Sequence, residues 1–162
     1  KRIAGHLGCQ IVLEPGRLIS ANAGVLVSSV VYVKNSGNRT FVILDGAKND
    51  LVRPAMYDAY HRVLPVAEPS ADAPQAPVDL VGPVCETGDT FARARMMPLL
   101  SADDLVVFCT AGAYGAVMSS TYNTRPLVPE VLVKGDDYAI VRRRPSLDEM
   151  LAAEEVPDWL TS

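Results

Sequence analysis

The segment from Val25 to Leu44 most constrains what this chain can fold into. Residues 25–34 are rich in β-branched side chains, and residues 40–44 form a second apolar run. Residues 35–38, Asn-Ser-Gly-Asn, separate the two runs with residue types that tolerate the unusual backbone angles of a tight turn. The pattern predicts two antiparallel strands joined as a hairpin.

Five further segments have strand composition, so the chain is predicted to be mainly β with a few short helices. One helix of one or two turns is expected at residues 54–60, because Pro54 suits a first helical turn. Another is expected after Ser146, which has capping-box spacing to Glu149, with Pro157 as its stop. The five predicted strands are residues 78–84, 90–96, 105–109, 128–134 and 138–142.

Two other segments contain residues that interrupt regular structure. Residues 9–13 form a short apolar run that ends at Pro15 and Gly16, which predicts a strand passing into a loop. Residues 63–78 contain four prolines and are expected to form a surface loop within one domain.

Length and composition exclude several classes of protein. A chain of 162 residues, 49% of them hydrophobic, can bury one core, so a single domain over residues 1–162 is expected. The net charge is −4 and the one basic run is residues 142–144, which argues against a nucleic-acid partner. The longest apolar run, residues 23–33, is too short for a membrane helix, which needs about 20 residues.

Cysteine and histidine lack the spacing of a metal site. Three cysteines without a Cys-x-x-Cys pair predict neither a zinc site nor a disulfide framework, so a cytoplasmic location is expected. His6 and His61 are far apart in sequence and give no support to a metal pair or a catalytic triad. No metal site is predicted.

Two polar clusters combine an arginine with a second functional group. Glu14 and Arg17 flank a Pro-Gly pair, a loop that could offer N–H groups and a guanidinium to a phosphate or carboxylate. The alternative is a turn whose side chains face water. Arg53 and Tyr57 are four residues apart at a helical start and suit a carboxylate ligand. The alternative there is a surface arginine and a half-buried tyrosine.

Two more clusters carry a thiol and a phenol. Cys85 and Glu86 lie on a bend between predicted strands, where a thiol could donate a proton and a carboxylate could hold a cation. The alternative is a buried structural cysteine. Tyr114 stands between Ala113 and Gly115, small residues that allow a ligand to approach its hydroxyl. The alternative is a core tyrosine.

The order of these clusters resembles the C-terminal part of the diaminopimelate decarboxylase family, pyridoxal-phosphate enzymes among the alanine-racemase-like, or group IV, decarboxylases. The resemblance runs from about residue 11 to residue 142. It implies a sandwich-like or barrel-like β domain, with residues 1–10 as the trailing end of an N-terminal barrel. The four motifs are EPGR at 14–17, NDLVRPAMYDAYH at 49–61, GPVCETGD at 82–89 and GAYGAVMSSTYNTRP at 112–126.

The resemblance implies four residues on the cofactor side of a site. Glu14 is expected near the pyridine nitrogen of pyridoxal 5'-phosphate, and Gly16 and Arg17 near its phosphate. Arg17 is also expected to serve the substrate carboxylate, and Tyr114 to contact both phosphate and substrate.

The resemblance implies four more residues on the substrate side. Arg53 and Tyr57 are expected to grip the distal end of the substrate. Cys85 is the expected proton donor after decarboxylation, and Glu86 the expected ligand of the distal ammonium. Both would reach the active site of the partner subunit in a homodimer.

The implied reaction is decarboxylation of meso-2,6-diaminopimelate to L-lysine and CO2, the last step of lysine biosynthesis. Glutamate after Cys85 fits this type, whereas similar enzymes acting on ornithine or arginine typically have aspartate there. Two alternatives stay open: a domain of such an ornithine or arginine enzyme, and a non-catalytic β module that binds a partner. The family's Schiff-base lysine lies in the N-terminal barrel, so the isolated chain is expected to be inactive. The resemblance gives no role to Lys48.

Overall fold

Eight strands form two sheets in the computed structural model, which describes residue 5 and residues 8–160. His6 and most of the segment expected to trail from a barrel therefore lie outside the described residues. The strands are β1 (Leu26–Ser36), β2 (Arg39–Leu44), β3 (Val63–Pro65), β4 (Gln75–Val81), β5 (Thr90–Pro98), β6 (Leu105–Phe108), β7 (Glu130–Lys134) and β8 (Asp137–Arg142). The larger sheet has the order β3-β6-β1-β2-β4-β5, and β7 pairs with β8 in the smaller one.

Short helices connect these strands. None of the helices in the described ranges is long and apolar enough to span a membrane. The α-helices are α1 (Arg17–Ser20), α2 (Arg53–Tyr57) and α3 (Leu147–Leu151), and 3-10 turns occupy Ala21–Ala23, Ala116–Met118, Tyr122–Thr124 and Asp158–Leu160.

The predicted hairpin is confirmed. Strands β1 and β2 pair antiparallel, with Ser36 opposite Arg39. Gly37 at the turn has a φ of +60°, a conformation that glycine adopts without steric cost. The pattern of β-branched runs around turn residues therefore located both strands.

The larger sheet curves around one apolar core, which confirms the mainly β, barrel-like expectation. Leu44, Leu80 and Phe108 are fully buried, and the rings of Phe91 and Phe108 pack with centroids 4.7 Å apart. The two edges of the sheet approach each other, because Arg95 of β5 donates a hydrogen bond of 3.0 Å to the carbonyl two residues before β3. Burial of such side chains is the main stabilising contribution to a domain of this kind.

Two predicted segments differ from the structure. Residues 9–13 contain no strand, and Val12 and Leu13 are 77% and 79% exposed. An apolar run becomes a strand only where a neighbouring strand satisfies its backbone, and no described strand pairs with this one. The loop expected at residues 63–78 is shorter, because β3 and β4 take up its two ends. Pro77 is accommodated in β4 because pairing with β2 begins only at Val78.

The predicted helices are present but short. Helix α2 ends at Tyr57 because Asp58 adopts a left-handed φ of +50°. The predicted capping box of α3 is confirmed, since Ser146 and Glu149 each accept a hydrogen bond from the other's backbone N–H. Helix α3 ends at Leu151, well before the predicted stop at Pro157.

Candidate active site

A parallel strand pair brings two of the four motifs to one edge of the sheet. Strands β2 and β4 are parallel neighbours, with Val42 opposite Leu80. The carboxyl ends of parallel strands lie at the same edge, so the segments that follow them are neighbours. The loop of residues 45–50 follows β2, and the turn of residues 82–89 follows β4.

Asp89 fastens this loop to this turn. Its carboxylate is buried, with 2% of the residue exposed. One carboxylate oxygen accepts the backbone N–H of Lys48 at 2.6 Å, and the other accepts that of Val84 at 2.8 Å. A Cβ at Gly82 would overlap the Asp89 carboxylate, so only glycine fits beside it. Sequence reasoning quoted Asp89 within a motif but gave it no role.

The turn exposes Cys85 and directs Glu86 toward Lys48. Cys85 is a free, exposed thiol. The Glu86 carboxylate forms an ion pair with the Lys48 ammonium, which also lies 5.0 Å from the ring centroid of Tyr122. A hydrogen bond from Lys48 holds the pKa of the Glu86 carboxyl below its usual range, and the same bond raises the pKa of Lys48. The charged forms of both groups are therefore favoured.

A second cluster joins the motif of Arg53 to the motif of Tyr114. The guanidinium carbon of Arg53 lies 5.7 Å from the ring centroid of Tyr57 and 5.6 Å from that of Tyr114. Arg53 makes no side-chain hydrogen bond or ion pair with another described residue, so its N–H donors are available to a ligand. An arginine close to two aromatic rings and without an ion-pair partner is well suited to bind a carboxylate.

Helix α2 and the turn of residues 82–89 border a common cavity. The cavity has a volume of about 310 Å3, and its lining includes Pro54 and Ala55 of α2 together with Thr87 and Gly88 of the turn. Arg53 and Glu86 do not themselves line this cavity.

The loop that carries Tyr114 packs against the end of α1. The backbone N–H of Gly112 donates to the carbonyl of Ala21 at 3.0 Å, and a Cβ at Gly112 would overlap the carbonyl of Ser20. Tyr114 itself is 47% exposed and has a φ of +60°. The small residue at position 112 thus allows the Tyr114 loop to approach the helix that follows the first motif.

The side chains of that first motif are not engaged. Glu14, Gly16 and Arg17 are exposed, and Gly16 precedes α1 without a side-chain cap. Neither Glu14 nor Arg17 has a side-chain hydrogen bond, ion pair or ring contact with another residue of the described ranges. The structure therefore brings the fourth motif to the backbone of α1, but not to these two side chains.

Sequence reasoning missed Lys48 and Tyr122 as neighbours of Glu86. Lys48 and Glu86 are 38 residues apart, and only the parallel pairing of β2 with β4 brings their segments together. The opposite charges of the two residues were the available signal, but using this signal requires knowledge of the strand order.

Within residue 5 and residues 8–160, no group of three or more histidine, cysteine, aspartate or glutamate side chains could hold a metal ion. His61 is buried, with its Nδ1 3.0 Å from the carbonyl of Cys109.

Comparison with known proteins gives matches to one family of decarboxylases. The model of the family described as "Pyridoxal-dependent decarboxylase, C-terminal sheet domain" matches residues 17–112. Diaminopimelate decarboxylase of Zymomonas mobilis is 52% identical over 160 residues, which cover 99% of this chain and 37% of that protein. The enzyme of the same name from Haemophilus influenzae is 46% identical over 154 residues, covering 95% of this chain and 37% of that protein.

Solved structures give the same picture. Diaminopimelate decarboxylase from Helicobacter pylori complexed with L-lysine is 36% identical with a TM-score of 0.80, covering 92% of this chain and 36% of that one. A viral arginine decarboxylase, from Paramecium bursaria Chlorella virus, is 20% identical with a TM-score of 0.64, covering 68% of this chain and 31% of that one. This second likeness shows a shared fold alone.

The chain spans a little over a third of the length of the curated relatives it matches. The family model nonetheless covers more than half of the chain's 162 residues. The chain therefore belongs to the pyridoxal-dependent decarboxylase family, in the part described as its C-terminal sheet domain.

Proposed function

We propose that this chain is part of a diaminopimelate decarboxylase and supplies one side of its substrate site. The observation that carries this proposal is that the chain presents both an available guanidinium, at Arg53, and an ionised carboxylate, at Glu86. The high identity to enzymes of this name over nearly the whole chain supports the same reading.

Each of these two charged groups is complementary to one group of the substrate. The distal end of meso-diaminopimelate carries a carboxylate and an ammonium. Arg53, which lies near the rings of Tyr57 and Tyr114, binds the carboxylate. Glu86 binds the ammonium, and the hydrogen bond from Lys48, which lowers the pKa of Glu86, favours its charged form.

Four residues suit the cofactor side. The exposed side chains of Glu14 and Arg17 have no described partner, and the Tyr114 loop packs against the helix that begins at Arg17. Gly16, Arg17 and Tyr114 would hold the phosphate of pyridoxal phosphate, and Glu14 would keep a proton at its pyridine nitrogen. When bound, this cofactor supplies an electron sink for the carbanion left by loss of CO2.

Cys85 completes the reaction. Its thiol is exposed on a turn that Asp89 holds in place, and it donates the proton that replaces the departing carboxylate. Arg17 also orients the reacting carboxylate of the substrate.

The rest of the enzyme lies in other parts of the assembly. We propose that residues 1–162 form one domain, with residues 1–10 trailing from an N-terminal barrel that carries the Schiff-base lysine. In a cytoplasmic homodimer, Cys85 and Glu86 would enter the active site of the partner subunit.

The test is an assay of the complete protein. With pyridoxal phosphate added, it should release CO2 from meso-diaminopimelate and form L-lysine, with little activity on L-ornithine or L-arginine. Absence of CO2 release from meso-diaminopimelate, or a preference for either other amino acid, would overturn the proposal.

Glu86→Gln tests the ammonium site within the same assay. The substitution removes the charge, so KM for meso-diaminopimelate should rise about tenfold, as for loss of a charge-assisted hydrogen bond. Glu68→Gln, a change at an exposed glutamate between β3 and β4, is the matched control and should leave KM unchanged.

A further inference from the structure

The carboxylate of Glu86 already has a cation, and that cation belongs to the same chain. The Lys48 ammonium forms an ion pair with Glu86, and 22% of the Lys48 side chain is exposed. If Glu86 binds the distal ammonium of the substrate, as proposed above, the incoming ammonium meets Lys48 at the same carboxylate.

We propose that Lys48 is a specificity-determining residue, which makes this site select a distal amino-acid end over a bare amine end. The inference rests on the proposed function, because it takes Glu86 as the ammonium ligand. It adds a role for the Lys48 ammonium, which lies beside Glu86.

Several independent contacts hold Lys48 in this position. Its backbone N–H is fixed by the buried carboxylate of Asp89 at 2.6 Å. Its ammonium lies 5.0 Å from the ring centroid of Tyr122, a distance at which a cation is attracted to an aromatic face. Asp89 thus fixes the backbone of Lys48, while Glu86 and Tyr122 hold its ammonium in place. The position of Lys48 is therefore a built feature of the site.

The turn is also shaped to let Glu86 fold toward Lys48. A Cβ at Gly88 would lie 2.9 Å from the Glu86 carboxylate oxygen and 3.8 Å from the Lys48 ammonium nitrogen. A Cβ at this position would therefore require the Glu86 carboxylate to shift from its present place. The glycine therefore leaves room for the pair.

Charge then decides between two kinds of substrate end. A bare ammonium at Glu86 is repelled by the neighbouring ammonium of Lys48, and it brings no carboxylate that could attract Lys48. An amino-acid end brings a carboxylate beside its ammonium, and this carboxylate attracts the Lys48 ammonium. Lys48 therefore disfavours bare amines while leaving the binding of meso-diaminopimelate largely unaffected.

The experiment uses the complete enzyme with two probes. One is meso-diaminopimelate as substrate, and the other is cadaverine, a diamine without any carboxylate, as competitive inhibitor. In Lys48→Met the inhibition constant of cadaverine should fall about fivefold, the scale of an exposed charge pair, while KM for meso-diaminopimelate changes less than about twofold. Lys34→Met, at an exposed lysine of β1, is the matched control and should change neither constant.

Two further variants make the result independent of one substitution. Lys48→Gln should reproduce the Met variant, and Lys48→Arg, which keeps the positive charge, should behave as the unaltered enzyme. An unchanged cadaverine constant in both neutral variants would overturn the inference. So would an equal improvement for cadaverine and meso-diaminopimelate.

Glu86→Gln separates this inference from the proposed function. If that variant leaves KM for meso-diaminopimelate unchanged while CO2 is still released, Glu86 is not the ammonium ligand, and the inference about Lys48 fails while the proposed decarboxylase activity stands. If it raises KM while neutral Lys48 variants bind cadaverine as before, only the inference about Lys48 fails. In the double variant with Lys48→Met, the effect on cadaverine should disappear, because no carboxylate is left to compete for.

Discussion

The turn of residues 82–89 and the segment of residues 14–17 present functional side chains in opposite ways. In the turn, the buried carboxylate of Asp89 fixes two backbone N–H groups, and Glu86 is paired with Lys48. In the segment, the side chains of Glu14 and Arg17 are exposed and have no partner in the described part of the chain. Glu86, proposed for the substrate side, is thus positioned by this chain itself, whereas Glu14 and Arg17, proposed for the cofactor side, are only presented by it.

Among substitutions in these two segments, Cys85→Ala is expected to have the largest effect, which is on kcat. Loss of the proposed proton donor should lower kcat by about 100-fold or more, whereas removing an exposed thiol should leave the melting temperature nearly unchanged. Steady-state kinetics and a thermal melt of the complete enzyme measure the two effects, and Cys9→Ala is the control at another exposed cysteine. A variant that melts earlier but turns over normally would mean that Cys85 only packs.

Asp89→Ala tests whether the turn is held as described. Two backbone N–H groups, one buried and one partly buried, lose their acceptor, so the free energy of unfolding should fall by about 2–4 kcal/mol. Urea denaturation of the complete enzyme measures this change. Asp89→Asn keeps one acceptor oxygen and should lose less. Equal stability of the Ala variant and the unaltered enzyme would contradict the fastening role.

Arg17→Ala makes the opposite prediction for the other segment. Because the side chain has no described partner, the free energy of unfolding should change by no more than about 0.5 kcal/mol. Affinity for pyridoxal phosphate, followed by absorbance titration, should fall about tenfold through loss of a charge-assisted contact. Arg62→Ala, at another exposed arginine, should alter neither quantity. A strongly destabilised Arg17→Ala would show that this segment is held after all.

Glu149→Gln gives the smallest effect, since its carboxylate caps a helix at an exposed site. Hydrogen bonds from Arg143 and from the Ser146 backbone lower the pKa of Glu149 to about 2. A lowered pKa in the folded state means stability that is present above the usual pKa of 4.5 and lost as pH falls through 2. The variant should melt about one or two degrees lower at pH 6, and the difference should vanish toward pH 2. A difference that is constant with pH would rule out this linkage.

Local patterns predicted the elements whose causes are local. The hairpin of β1 and β2 follows from β-branched runs around a glycine turn, and the start of α3 follows from its capping box. The contact of Arg53 with Tyr57 follows from helical spacing alone. In each case the residues that decide the structure are within about twenty positions of one another.

Features that depend on distant pairing could not be predicted in this way. Residues 9–13 have a strand's composition but no described neighbour, so composition alone misled. Pro77 argued for a loop, yet it falls just outside the register of β2 with β4. Lys48 meets Glu86 only because of the order of the strands in the sheet. The prediction of a mainly β chain does not specify that order.

The parallel register of β2 and β4 also sets the distance between two charged groups of the site. Lys48 follows one strand and Glu86 the other, and Val42 opposite Leu80 sets how far each strand extends. A slip of two residues would keep the same faces buried but shift one loop by about 6.6 Å, more than an ion pair can span. Core side chains of β2 and β4 therefore set the distance between the two charges. On the proposed role of Lys48, substitutions that loosen this register should alter substrate choice before they unfold the domain.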